Sequence, residues 1–229
     1  MKYKILGVLF ALISSATFAN EIYITQIGDT LDLSIAQTGT GNKVGNSSTA
    51  ADFAGDDMTF DITQTGDNNV IDAVINGNTY TGTWSFTGDN NTVDLLCDSA
   101  QAGQCETVTL DITVNGDTND FTVYIGENKV ADNLVAEFTV DGDDNVIVAN
   151  LDATNADVTV TIDNSSSGAG GNTFTIDQDD AGSINGHSIT YDHTGGGGSV
   201  TITQSGINDQ TVNVTTSGDD HDVTITQTD

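Results

Sequence analysis

Residues 60–77, FDITQTGDNNVIDAVING, place an alternating apolar run, a glutamine, a Gly-Asp-Asn-Asn turn and a second alternating run in one short stretch. Strict alternation is the signature of a half-buried strand, and glycine followed by Asp or Asn supplies turn chemistry. The arrangement recurs at fixed intervals. Gly28 to Gly39, Gly66 to Gly77 and Gly77 to Gly88 are each 11 residues, and Gln204 to Gln227 is 23. An 11-residue strand and turn cannot bury its apolar face alone, whereas two such units folded back and stacked on copies of themselves can. The expected fold is all-β, a β-solenoid of stacked two-strand rungs of about 22 residues with insertions at the turns.

Aligning the glycines sets the register. Phe60, Ile62 and Gln64 point inward before the turn, then Asn69, Ile71, Ala73 and Ile75 after it. Ile22, Ile24, Gln26 and Gly28 follow the same rule, as do Leu31, Leu33, Ile35, Gln37, Gly39, Asn42 and Val44. Trp84, Phe86, Gly88, Asn91, Val93, Leu95 and Cys97 repeat it, then Leu110, Ile112, Val114, Gly116, Asn119, Phe121 and Val123. Phe138, Val140, Gly142, Asn145 and Ile147 continue, and Val200, Ile202, Gln204 and Gly206 with Val223, Ile225 and Gln227 complete it. After Gly218, His221 takes the place of the asparagine. Tyr80 and Trp84 share the alternation and are assigned to core packing.

Buried amides are costly unless hydrogen-bonded. Identical amides on successive rungs satisfy one another along the stack, so Gln26, Gln64, Gln178 and Gln204 are expected to form a ladder, with Gly66 and Asn69 marking the turn after Gln64. Longer glycine intervals mark insertions near 97–105, 163–172 and 192–199 within one domain over 20–229. Cys97 and Cys105 close the first; seven intervening residues and no flanking histidine favour a structural disulfide over a redox or metal pair.

Lys2 and Lys4 precede an apolar run and small residues ending at Ala19, which reads as a signal peptide over 1–19. Removing it takes the formal charge from −30 to −32. Such a chain repels nucleic-acid phosphate and anionic lipid, and the apolar run is too short to span a bilayer. The reading is of a secreted protein, extracellular or at the surface of a bacterium, with no nucleic-acid partner and no membrane insertion. Acidic composition with few aromatics also describes disordered chains, but the alternation is sustained between the acids. Absence of proline suits uninterrupted strands.

A β-sandwich would also alternate and turn regularly, but it does not call for matching side chains at matching rung positions. Recurring Thr-x-Thr pairs, such as Thr107 with Thr109 and Thr201 with Thr203, raise a second function, a monomeric secreted solenoid binding ice or a surface glycan; β-propensity explains the same pairs. Turn aspartates, Asp67, Asp89, Asp117 and Asp143, offer Ca2+ a weak possibility and are otherwise turn formers; no other metal or cofactor is called for. His187 and His193 are spaced for a metal or for a loop. No catalytic fingerprint is present, and the chain is not read as an enzyme.

The pattern Q-x-G-x-x-N-x-(small or apolar), with another Gln eleven residues on, resembles the curlin repeat of bacterial curli fibre subunits. Gln26, Gly28, Gln37, Gly39 and Asn42 carry the closest match; Gln64, Gly66, Asn69 and Ile71 match a first half, and Gln204 and Gly206 open a late repeat. Leu31 replaces the first Asn, Ile75 stands where the second Gln belongs, and Phe60, Ile62, Phe121 and Phe138 make the interior more apolar than the repeat. The resemblance implies export through the outer membrane with secretion and nucleation partners, self-association into cross-β amyloid fibres, and roles in adhesion and biofilm matrix. No proline, helix or Lys-rich segment blunts EIYITQIG or HDVTITQT, so both are expected to be open strand edges.

Overall fold

The computed structural model describes residues 21–228 apart from 29, 40, 46, 47, 49, 67, 98–104, 127–130, 165–170, 180–186 and 206–209. The strands are β1 (Glu21–Ile22), β2 (Thr25–Ile27), β3 (Asp32–Thr38), β4 (Lys43–Val44), β5 (Ala51–Ala54), β6 (Met58–Thr65) and β7 (Val70–Asn76). Then come β8 (Thr79–Thr87), β9 (Thr92–Cys97), β10 (Thr107–Asn115), β11 (Asp120–Ile125), β12 (Asn133–Asp141) and β13 (Val146–Leu151). The last are β14 (Ala156–Asn164), β15 (Thr173–Asp179), β16 (Ser188–Gly195), β17 (Ser199–Ser205), β18 (Thr211–Ser217) and β19 (Asp222–Thr228).

The chain alternates between two parallel sheets, as a solenoid requires. The first runs β1-β4-β7-β9-β11-β13-β15-β17-β19, with β2 beside β5 and β5 beside β7; the second runs β3-β6-β8-β10-β12-β14-β16-β18. Strand β7 pairs with both β4 and β5, so six residues, 45–50, separate two strands that share one position in the sheet. Counted on the buried asparagines, the rung spacing is 22 residues from Asn69 to Asn91, then 28, 26 and 27. The expected 22-residue rung is therefore the shortest one, and most rungs exceed it because residues are added at the turns while the strand registers are kept.

Alternation does what it predicts: β8, β10 and β12 bury every second residue. The inner faces of the two sheets meet in one continuous core. Phe53 packs on Phe60 (ring centroids 4.5 Å), Phe60 on Trp84 (5.7 Å), Phe86 on Phe121 (5.1 Å) and Phe138 on Phe174 (5.4 Å). Trp84 is fully buried and its indole N–H donates to the Phe60 carbonyl at 3.0 Å, which removes the cost of burying that donor. Gly82 opens the space that Tyr80 and Trp84 fill, since a β-carbon there would strike the Tyr80 ring.

Cys97 and Cys105 form a disulfide, Cα atoms 6.1 Å apart, with both residues fully buried; residues 98–104 of that insertion, and 165–170 of the one expected near 163–172, lie outside the described residues. The stretch 192–199, expected as an insertion, is the end of β16, a three-residue connection and the start of β17. Its glycines serve a tight turn.

Candidate functional site: side-chain ladders and the ends of the solenoid

Each Gly-x-x-Asn turn is built the same way. At Gly116 φ is 145° and at Thr118 58°, and the third residue of the other such turns, Asn68, Asn90 and Asp144, is also left-handed. A β-carbon on Gly116 would collide with the Gly88 carbonyl one rung below, and one on Gly142 with that of Gly116. Glycine is needed here both for its backbone conformation and for close stacking of the turns.

The asparagine after each turn points inward and is buried: Asn42, Asn69, Asn91, Asn119, Asn145 and Asn172. Asn69 Nδ2 donates to its own Gly66 carbonyl at 2.7 Å and to Asn91 Oδ1 at 3.0 Å, while the Asn69 backbone N–H donates to the same oxygen at 3.1 Å. Asn91 treats Asn119 likewise, at 2.9 and 2.7 Å, and Asn119 treats Asn145 at 3.0 and 2.9 Å. Asn42 closes its own turn on the Gly39 carbonyl at 2.9 Å. Asn172, which lacks a Gly three residues before it and was not recognised from sequence, donates to the Gly142 carbonyl and accepts from the Asn145 N–H.

The glutamines form two stacks rather than one. Gln64 Nε2 donates to Gln37 Oε1 at 2.6 Å in the second sheet; Gln204 donates to Gln178 at 2.9 Å and Gln227 to Gln204 at 3.0 Å in the first. Gln26 lies opposite Phe53. Gln64 is followed in its column by Phe86, so its stack ends there. Sequence periodicity finds inward glutamines without telling which sheet each belongs to. Gly206 and Asp67 lie outside the described residues.

The turn aspartates also make a ladder, but to backbone. Asp89 Oδ1 accepts the Asp117 N–H at 2.9 Å, and Asp117 Oδ1 accepts the Asp143 N–H at 2.7 Å. Among the described residues no three His, Cys, Asp or Glu side chains group as a metal site would require.

His187 and His193 are buried, 2% and 1% exposed. His193 belongs to β16 rather than a loop. Its ring occupies space left by Gly198, where a β-carbon would strike it. Its Nδ1 is 3.1 Å from the Tyr191 hydroxyl, and its ring centroid is 4.5 Å from that of His221. Burial, and then the neighbouring His221, push the His193 pKa below the ordinary imidazole value. Gly198 and His221 thus replace the last two members of the asparagine column.

The two ends differ. At the N-terminal end Leu33 and Ile35 are 3% and 2% exposed, with Ile22 and Ile24 packed against the core. At the other end Val223 and Ile225 are 38% and 44% exposed, although they hold the same inward register as buried Val200 and Ile202. Among the described residues nothing pairs with the outer edges of β18 and β19.

Threonine pairs stack in register for short stretches only. Thr79 and Thr81 align with Thr107 and Thr109, then meet Asn133 and Val135; Thr201 and Thr203 align with Thr224 and Thr226, while Thr203 faces Asp177 on its other side. No family model matches this chain, and no curated protein and no solved structure is significantly similar to it.

Proposed function

We propose that the chain is an exported structural subunit that stacks head to tail into curli-like cross-β fibres at a bacterial surface, serving adhesion and biofilm matrix. The observation that carries this reading is the C-terminal end. There, two full parallel strands expose both their outer backbone groups and their inward apolar side chains, Val223 and Ile225. A sheet edge of this kind is a template for another strand, and the Gln227 amide extends the ladder from Gln178 and Gln204 toward a further rung. The resemblance of the Gln-x-Gly-x-x-Asn turns to curlin repeats supports the same reading, and the acidic surface makes salt a requirement because it screens like charges on neighbouring copies.

The test is electron microscopy of the chain from Asn20 onward, incubated with and without salt and calcium, with fibre diffraction on any filament. Unbranched filaments with a meridional reflection at about 4.8 Å are expected. Monomers that persist in every condition at high concentration overturn the reading.

A further inference from the structure

The first and last strands of the first sheet are copies of one another. Following the register from strand to strand, Asp222 shares a column with Ser199, Thr173, Val146, Asp120, Thr92, Val70, Lys43 and Glu21. Thr226 likewise shares a column with Thr203, Asp177, Asn150, Tyr124, Leu96, Val74, Asp52 and Thr25. Asp-Val-Thr-Ile-Thr-Gln at 222–227 therefore falls on the same positions as Glu-Ile-Tyr-Ile-Thr-Gln at 21–26. Glu21 is in register with Lys43, one of only four Lys or Arg residues in the chain, and Asp222 is the acidic residue of the same column at the other end.

The topology makes this likeness consequential. The described chain begins and finishes on the same sheet, so the first sheet has one strand position more than the second. A copy placed directly on β1 and β2 would pair β19 with them. It would leave β18 of one copy and β3 of the next two strand spacings apart, about 9.6 Å, with one strand missing from the second sheet. With β1 and β2 lifted away, β19 of the incoming copy meets β4 and β5, β18 meets β3, and neither sheet is interrupted.

Resting on the stacking reading above, we propose that Glu21–Ile27 is a built-in stand-in for β19 of a second copy, and that assembly proceeds by exchange of one for the other. The stand-in pairs as two fragments of 2 and 3 residues because its seat is broken between β4 and β5, and its inward Ile22 and Ile24 are only partly buried. In the exchanged state Val223 and Ile225 take the seats of Ile22 and Ile24, Gln227 takes the place of Gln26 opposite Phe53, and Asp222 replaces Glu21 opposite Lys43.

A reversible lock tests it. Thr25 and Asp52 are register partners with exposed side chains, and both native cysteines are already paired. The double variant Thr25→Cys, Asp52→Cys, oxidised and confirmed as a folded monomer by circular dichroism, is offered to wild-type fibre seeds. No elongation above the unseeded baseline is expected, with the wild-type rate restored by mild reductant that leaves the wild-type protein unaffected. A second variant beginning at Asp29 is expected to elongate without a lag. Locked protein elongating at the wild-type rate overturns the exchange and leaves the subunit reading standing. Failure of the wild-type, reduced and shortened proteins all to assemble overturns both.

Discussion

Asn119 illustrates how one residue type meets three demands. Its side-chain oxygen accepts both the backbone N–H and the side-chain amide of Asn91, and its own amide donates to Asn145, all away from water. Asn119→Ala should cost about 1–3 kcal/mol, because it orphans buried donors on Asn91 rather than merely removing a bond; a shifted urea midpoint at constant slope checks it. Gly116→Ala should cost roughly 2 kcal/mol or more, since the new β-carbon meets the Gly88 carbonyl at a backbone angle that alanine disfavours. Five of the inward asparagines were legible in the sequence because glycine three residues earlier marks them, and Asn172, with Ala169 in that place, was not. The histidines were not: the seat of His193 exists only because Gly198, in the connection to β17, leaves it empty, and no local spacing reports that.

At the scale of the element, the packing of β16 against the turn that leads into β19 should make stability depend on pH. His193 is held neutral in the fold by burial and by His221, whereas unfolded chain takes up a proton near pH 6.5. Its folded pKa is depressed, so stability is lost as pH falls through about 6.5 toward the folded value. The groups facing it are Tyr191 and His221, with Asp192 beside it on β16 acting in the opposite sense. Hydrogen exchange should show β16, β18 and β19 opening more readily at pH 5 than at pH 7.5, and His193→Ile, matching Ile162 one rung below, should remove much of that difference. On the outer face, Asp72 and Asp94 lie side by side; partial burial and then Asp94 raise the Asp72 pKa. Asp72→Asn should be mildly stabilising at pH 7, and its advantage should shrink as pH falls and the wild-type carboxyl protonates. Strand existence followed from alternation, but the break between β4 and β5 did not, because an inserted segment leaves the period on either side intact.

For the whole molecule, the register conserved across rungs of unequal length means that extra residues enter between strands, at the turns and at the break between β4 and β5, and leave the paired residues in step. That placement is why the solenoid was legible while the average rung length was not: the three evenly spaced glycines Gly66, Gly77 and Gly88 report the shortest rung, and the added residues carry no period of their own. It also means each rung touches only its two neighbours, so stability accumulates rung by rung. Held at its two ends and stretched, the molecule should yield in steps, shedding one rung at a time from an extremity. Each step should lengthen it by roughly 70–95 Å, the extended reach of 22 to 28 residues. One step should read short, since the disulfide hides a separation of 8 residues in the rung between Asn91 and Asn119, and should grow by roughly 20 Å after reduction. A fibre of such units would resist pulling as a ratchet does, surrendering length in increments while the rungs not yet reached keep their full strength.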